Sequence, residues 1–339
     1  MTKVLIVGAG SAGNVVIRKA LSLSDIFTDI HVVVKSNESF VRIQDTLGDR
    51  ITLHQCNADN TVVFTELTKK INPYLVINMA LPYQDLSIME ACLAAGAHYV
   101  DTANYEPIDE AKFCYKWQWD YHDRFKKAGL CALLGSGFDP GVTNVFCAYA
   151  QKHLFDSIDQ VDIIDCNDGS HGRPFATNFN PEINIREITQ RGKYFDSGKW
   201  VETDPLSHKD SIYFPQVGHR DAYLMYHEEL ESLAKHIPNV KKIRFWMTFS
   251  SSYLNYLDVL QNVGMTSIEP ILYEGKQIVP LQFLKAVLPD PQSLGENYSG
   301  KTCIGTVISG TKNGEKIKKI IYNICEHQKA YDDCKAQAV

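Results

Sequence analysis

Three glycines near the amino terminus carry the first piece of chemistry. Gly8, Gly10 and Gly13 stand in G-x-G-x-x-G spacing, with Ser11, Ala12 and Asn14 between and after them. Gly8 permits a tight turn, Gly10 lets backbone N–H groups approach a pyrophosphate, and Gly13 lets a helix pack closely on a strand. The spacing gains weight from its flanks. Val4–Val7 is a short apolar run without helical period, as in a strand buried on both faces, and Val15–Leu23 reads as a helix. An NAD enzyme usually places an acid roughly 20 residues past the glycines, against the ribose hydroxyls. Here Lys35 and Ser36 stand in that place, and the first carboxylate is Glu38. A cation beside a hydroxyl suits a 2′-phosphate and favours NADP(H) over NAD(H); the alternative is a solvated surface lysine.

Other residue types could act on a substrate. Asp139, between Phe138 and Pro140-Gly141, can hold a substrate ammonium; it serves equally well as a turn residue or as the cap of a following helix. Asn178, Asn180, Asn184 and Arg186 could form a donor-rich pocket for an α-amino carboxylate, though asparagines also populate any irregular loop. The stretch 223–233 reads as a helix on which His227 is a candidate acid or base, and Glu228 or Glu229 could attract a diamine. Asp165, Cys166 and His171 lack metal-ligand spacing, so no metal is expected. No serine-hydrolase elbow, Walker A sequence or Tyr-x-x-x-Lys pair is present.

The elements that must position these groups follow in order. Strands at His31–Val34, Ile51–Gln55, Leu75–Asn78, Tyr99–Asp101 and Leu130–Leu134 alternate with helices at Val62–Lys70, Gln84–Ala97 and a segment holding Trp117, Trp119 and Phe125. That alternation indicates an α/β Rossmann-type fold with a doubly wound parallel sheet, whose ligands gather at the carboxyl ends of strands. The segments to watch therefore include Asn57-Ala58-Asp59, Leu81, Asn104-Tyr105 and 135–141. Beyond about Phe155 the texture changes. Strands at Ile158–Cys166 and Lys241–Phe249, hairpins turning at Ser197-Gly198 and Asn313-Gly314, and helices at Tyr223–His236 and Tyr253–Asn262 predict an inserted α+β domain with a largely antiparallel sheet. Its expected jobs are to cover the nicotinamide, supply the substrate pocket and form a dimer. The expected division is 1–142, 143–325 and a C-terminal helix over 326–339 returning to the first domain.

Composition narrows the class. In 339 residues, 45% are hydrophobic and 22% charged, enough for two globular cores. A net charge of −6 without a basic stripe argues against nucleic acid and suits a cationic small molecule. No run reaches the length of a membrane span and no signal peptide is visible, so a membrane partner is not expected. The nine scattered cysteines contain no C-x-x-C pair, the usage of a reducing cytoplasm.

Taken together, 7–14, 137–144, 165–167, 176–187 and 223–233 resemble the carboxynorspermidine synthases of the saccharopine dehydrogenase superfamily, almost from end to end. The resemblance implies an NADPH-dependent reductive condensation of L-aspartate β-semialdehyde with a diamine, 1,3-diaminopropane or putrescine, in polyamine biosynthesis. It puts Ser11–Asn14, Lys35-Ser36, Asn57-Ala58 and Phe138–Gly141 against the cofactor, with Asn57 where an Asp is expected. It turns Asn104, Tyr105 and Asp139 toward the substrate and matches Arg220 more loosely to a carboxylate site. It also implies a homodimer, and a chain that stops short of a C-terminal segment found in relatives. Imine formation needs a neutral amine and an acid to expel water; Tyr105 and His227 are the candidates. The alternatives are another saccharopine-type imine reductase, with lysine in the slot, or a regulatory protein that binds NADP(H) without turnover.

Overall fold

The computed structural model describes residues 2–110 and 114–334. The chain divides into two compact units, 1–142 and 143–339.

The first unit runs β1 (Thr2–Val7), α1 (Ser11–Ser22), β2 (Phe27–Val34), α2 (Asn37–Leu47), β3 (Thr52–Gln55), α3 (Thr61–Ile71), β4 (Leu75–Asn78), α4 (Asp85–Ala95) and β5 (His98–Val100). Short helices α5 (Lys116–Trp119) and α6 (His122–Lys127) lead to β6 (Ala132–Leu133). The six strands pair in parallel in the order β3-β2-β1-β4-β5-β6. This is the expected doubly wound sheet, with its order reversing beside β1. Side chains alternate along β1. Val4 and Ile6 pack with Ile17 of α1 and Ile43 of α2. Leu5 and Val7 pack with Phe64 of α3 and Ile88 of α4 on the opposite face. Helix α2 has no counterpart in the sequence reading. Its signal is Ser36, whose hydroxyl accepts the Ser39 N–H as an N-cap at 3.1 Å.

The second unit begins with α7 (Val142–Tyr149), which runs into a π-turn at Ala150–Leu154. Then come β7 (Ser157–Ser170), α8 (Pro181–Thr189), β8 (Gly192–Asp196), β9 (Lys199–Thr203), β10 (Lys209–Phe214), β11 (Gly218–Met225), α9 (Glu229–His236), β12 (Lys242–Thr248) and α10 (Ser251–Asn262). The chain closes with β13 (Ile271–Tyr273), β14 (Lys276–Ile278), α11 (Pro280–Val287), β15 (Ser299–Lys312), β16 (Glu315–Glu326) and α12 (His327–Cys334). The main sheet is ordered β10-β11-β12-β7-β15-β16, with β8 and β9 off that path. It is antiparallel except where β12 runs parallel to β7. Both expected hairpins form. Ser197-Gly198 and Asn313-Gly314 all have positive φ, as a two-residue turn matching the strand twist requires.

Two segments depart from the sequence reading. The expected helix over Tyr223–His236 begins only at Glu229, because Tyr223, Leu224 and Met225 continue β11 and pair with Met247, Trp246 and Phe245 of β12. Ala222 and Leu224 alternate into the core, and that burial overrides helical propensity. The polar stretch 176–187 is not all loop. Asn180 accepts the Glu182 and Ile183 N–H groups, and Pro181 opens α8. Part of the expected C-terminal helix, 335–339, lies outside the described residues; α12 itself is tied to β15 by His327, bonded to the Thr302 hydroxyl and the Ser299 carbonyl. Among the described residues no helix is long and apolar enough to cross a membrane.

Candidate active site

In the first unit, β1 delivers the glycine turn. Gly8 has φ +97°, and a Cβ there would lie 2.7 Å from the Met79 carbonyl oxygen. A Cβ at Gly13 would collide with the Gly8 carbonyl, whereas one at Gly10 would meet nothing within 4 Å. The turn is thus closed toward the sheet and open on the ligand side. Gly10 caps α1 without a side chain, and the backbone amides of such a helix start favour an anion. Asn14 is tied back to the helix: its Oδ1 accepts Arg18 Nε at 3.0 Å.

At the end of β2, Lys35 Nζ reaches Asp59 Oδ2 at 2.9 Å, and Gln84 Nε2 donates to the other oxygen at 2.7 Å. Burial opposes the Asp59 charge, but the bonds from Gln84 and Lys35 outweigh it and hold the carboxyl below its usual range. Asn57 shapes this turn, its Oδ1 accepting the Asp59 N–H, and Ala58 is buried with its carbonyl on the Ser87 hydroxyl. Leu81 precedes the short turn Pro82–Gln84. A residue absent from the sequence reading, Arg42 of α2, donates to the Ala9 carbonyl at 3.1 Å and braces the glycine turn. An open glycine cradle, a helix start and a cation at the ribose end together fit a phosphorylated dinucleotide.

The carboxyl ends of β4–β6 are joined by a buried polar network. Asn78 Nδ2 donates to Asp85 Oδ1 at 2.8 Å and to the Tyr99 hydroxyl at 3.1 Å. Gln118 Nε2 donates to Asp101 Oδ2 at 2.6 Å and to Asp85 Oδ2 at 3.4 Å. Asp101 Oδ1 accepts the Gly135 N–H, and Gln118 Oε1 accepts the Tyr105 N–H at 2.9 Å. Through these bonds Asp101 and Gln118 fix two expected segments relative to each other: Asn104-Tyr105 and the turn 137–141. In that turn Gly137 N–H donates to the Pro140 carbonyl; Phe138 and Asp139 are half-buried, and Gly141 has positive φ. Asn104 donates to the Tyr105 and Cys114 carbonyls. Burial and the Asp109 and Asp85 carboxylates push the Tyr105 phenol up, so it keeps its proton at neutral pH.

The second unit separates the remaining expected residues. Asn178 is hydrogen-bonded to Tyr298, whose hydroxyl also donates to Asn167 Oδ1 at 2.7 Å. Asn180 is spent on the α8 cap, Asn184 Oδ1 accepts the Tyr253 hydroxyl at 2.7 Å, and Arg186 is buried on α8. Arg220 makes a bidentate pair with Asp168 at 3.0 and 2.9 Å on an exposed rim.

His227 and Glu228 lie in the turn between β11 and α9, not on a helix face. There the imidazole meets carboxylates from three directions. Its Nε2 is 3.2 Å from Glu187 Oε1, its Nδ1 is bonded to Glu229, and Glu228 stands 3.7 Å away. Its ring stacks on Phe245, with centroids 4.2 Å apart. Burial disfavours the imidazolium, but Glu229, Glu228 and Glu187 overcome it and hold the pKa well above the usual value. Asp165 of β7 lies within electrostatic reach of the same group, and burial, with Glu187 and Glu229, pushes it up to about 7. Glu228 is also pushed up to about 7, chiefly by burial. Asp165 and Glu187 escaped the sequence reading as partners of His227. The available signal was an acid inside the apolar run of β7.

Among the described residues, no group of three or more His, Cys, Asp or Glu side chains is arranged to hold a metal ion. Residues 4–133 match the saccharopine dehydrogenase NADP binding domain, and residues 137–339 match the saccharopine dehydrogenase C-terminal domain. The chain belongs to the saccharopine dehydrogenase family. It is 55% identical to the carboxyaminopropylagmatine dehydrogenase of Synechocystis, over 100% of this chain and 85% of that one. It is 40% identical to the carboxynorspermidine synthase of Vibrio alginolyticus, over 99% and 84%. Its fold is similar to that of saccharopine dehydrogenase (L-Glu forming) from Saccharomyces cerevisiae, with TM-score 0.68, 10% identity and coverage of 96% and 86%. The protein is accordingly an NADP-dependent oxidoreductase of this family, and the cradle built by Gly8–Asn14 and Lys35-Ser36 suits that cofactor.

Proposed function

We propose that this protein condenses L-aspartate β-semialdehyde with a primary amine carrying a second cation and reduces the imine, in polyamine biosynthesis. The observation that carries the reading is the likeness, along 99–100% of this chain and 84–85% of each relative, to proteins named for such products, joined to a dinucleotide cradle with a lysine at its ribose end. The amine nitrogen attacks the aldehyde carbon, water leaves from the carbinolamine, and the resulting iminium carbon accepts a hydride. The product is a secondary amine with an α-amino carboxylate at one end. Bound NADPH supplies that hydride at the C4 position of its nicotinamide.

The chain's own groups supply positioning and charge. Asp139 stabilises the iminium, and Tyr105, protonated at neutral pH, donates the proton that expels water. In the second unit Arg186 holds the aldehyde's carboxylate, with Asn178 as a hydrogen-bonding partner; in the first, Asn104 is a further substrate contact. The amine proposed first is agmatine, on the strength of the 55% identical relative's name; 1,3-diaminopropane and putrescine come second, from the 40% identical ones. Nine free thiols support work in a reducing cytoplasm. Exposed Ile320 and Tyr322 on the edge strand β16 support a homodimer.

The test follows NADPH absorbance with L-aspartate β-semialdehyde, adding agmatine, putrescine, 1,3-diaminopropane or lysine in turn. Oxidation is expected with agmatine above the diamines and not with lysine. Oxidation with lysine alone would replace this reading by a saccharopine-type one, and tight NADPH binding with no turnover would favour a regulatory role.

A further inference from the structure

We infer that the carboxylates of Asp165, Glu187, Glu228 and Glu229, gathered around His227, form a binding site for the non-reacting cation of the amine, a guanidinium or ammonium at the far end of an aminoalkyl chain. This inference rests on the amine-condensing reading above and assigns a place to the end of the substrate that takes no part in the chemistry.

Glu187, Glu228 and Glu229 meet one imidazole and Asp165 lies within electrostatic reach of it; Glu187 is half-buried, whereas Glu229 is 0% exposed, Glu228 7% and Asp165 8%. Burying a carboxylate costs several kcal/mol unless it is paired and hydrogen-bonded. His227 supplies one positive charge, bonded to Glu187 and Glu229, and that leaves the group short. Three other cations of this unit have partners of their own: Lys285 pairs with Glu182, Arg244 with Asp162, and Lys193 with Glu231.

The second observation is a pair of orphaned oxygens. Asp165 Oδ1 and Glu229 Oε1 are buried and have no hydrogen-bond partner. The Asp165 carboxyl feels the charges of His227, Glu187 and Glu229, which puts it within electrostatic reach of the cluster, and the Glu229 carboxylate that bears the other orphaned oxygen is itself bonded to His227. A structural ion-pair network satisfies such oxygens with its own donors. This one leaves them open to a donor from outside. A guanidinium offers five N–H groups and an ammonium three.

Aromatic side chains lie beside the cluster. Phe245 lies under His227. Tyr253, whose phenol feels the Glu187 charge, stacks on Phe175 with centroids 4.8 Å apart and on Phe249 at 6.0 Å. Aromatic faces beside carboxylates favour an organic cation with methylenes over a bare ion. Because burial pushes Asp165 and Glu228 up to about 7, protons held there can leave as the cation enters.

The test compares amines with and without the second cation in the full chain. With NADPH and L-aspartate β-semialdehyde saturating, Asp165→Asn is expected to raise KM for agmatine and putrescine by roughly 10- to 100-fold. The ratio of kcat/KM for those amines over n-butylamine should fall by about the same factor, and Glu187→Gln should repeat the pattern. An unchanged ratio in both variants overturns the proposal, as does an equal loss with n-butylamine. Calorimetric titration of agmatine and putrescine in the presence of NADP+, without aldehyde, separates the two levels of inference. If no amine is turned over, yet agmatine binds wild type and not Asp165→Asn, the cation site stands and the condensation reading falls. Failure of both amines to bind wild type removes the site, and whichever amine binds more tightly assigns the site to guanidinium or ammonium. Should Asp165→Asn not fold, Glu228→Gln carries the same comparison.

Discussion

Each unit buries a set of acids, and the two sets are built on opposite principles. At the strand ends of the first unit, both oxygens of Asp85 and both of Asp101 accept a hydrogen bond, from Asn78, Gln118 and the Gly135 N–H. Around His227 in the second unit, acids outnumber donors, and oxygens of Asp165 and Glu229 lack partners. A satisfied network holds backbone in place and asks nothing of a ligand. An unsatisfied one stores a demand that a ligand can meet. The first set positions the loops bearing Tyr105 and Asp139, whereas the second is a receptor for charge.

Substitution separates the two roles most sharply. Gln118→Leu strips the donor from Asp101 Oδ2 and Asp85 Oδ2 and the acceptor from the Tyr105 N–H, all inside a buried network. It should cost about 3 kcal/mol in urea unfolding. It should also lower kcat for every amine alike, since it loosens shared loops. Asp165→Asn removes a charge from a group with too many and should leave stability within about 1 kcal/mol of wild type. Equal destabilisation by the two substitutions would erase the distinction.

Acidity gives a smaller but independent contrast. Asp165 and Glu228 sit at about 7 in the folded chain, above unfolded values near 4. Between those limits the folded chain holds more protons than the unfolded one. Stability from these groups is therefore full below about pH 4 and is lost as pH rises through about 7. His227, also raised, adds a loss above its ordinary value near 6.5. Amine binding runs the other way, because a cation needs the carboxylates deprotonated. Urea midpoints should fall from pH 5 to 8 while KM for agmatine improves, and Glu228→Gln should flatten both trends. Parallel trends would show that the cluster does not meet the cation.

The sequence made short-range features legible and hid those made by pairing. The glycine turn, the doubly buried apolar run of β1 and the Asn313-Gly314 hairpin depend on a few neighbouring residues, and each appears where expected. Tyr223–Met225 looked helical because its neighbours 229–236 are; only pairing with β12 makes it a strand. Asn180 looked like a pocket residue, yet its carbonyl oxygen is used by α8. The His227 cluster draws on β7, α8 and the turn before α9. No spacing rule joins residues 62 or 40 positions away, so the strand register β7–β12–β11 had to bring Asp165, and the placement of α8 had to bring Glu187, to His227.

The condensation reading is most directly tested by following a label. NADPH deuterated at C4 in the transferring position, incubated with the protein, L-aspartate β-semialdehyde and agmatine, should place one deuterium in the secondary-amine product seen by mass spectrometry. No label should move when the amine is omitted. Deuterium found instead in the alcohol of the aldehyde, with no secondary amine formed, would contradict the account.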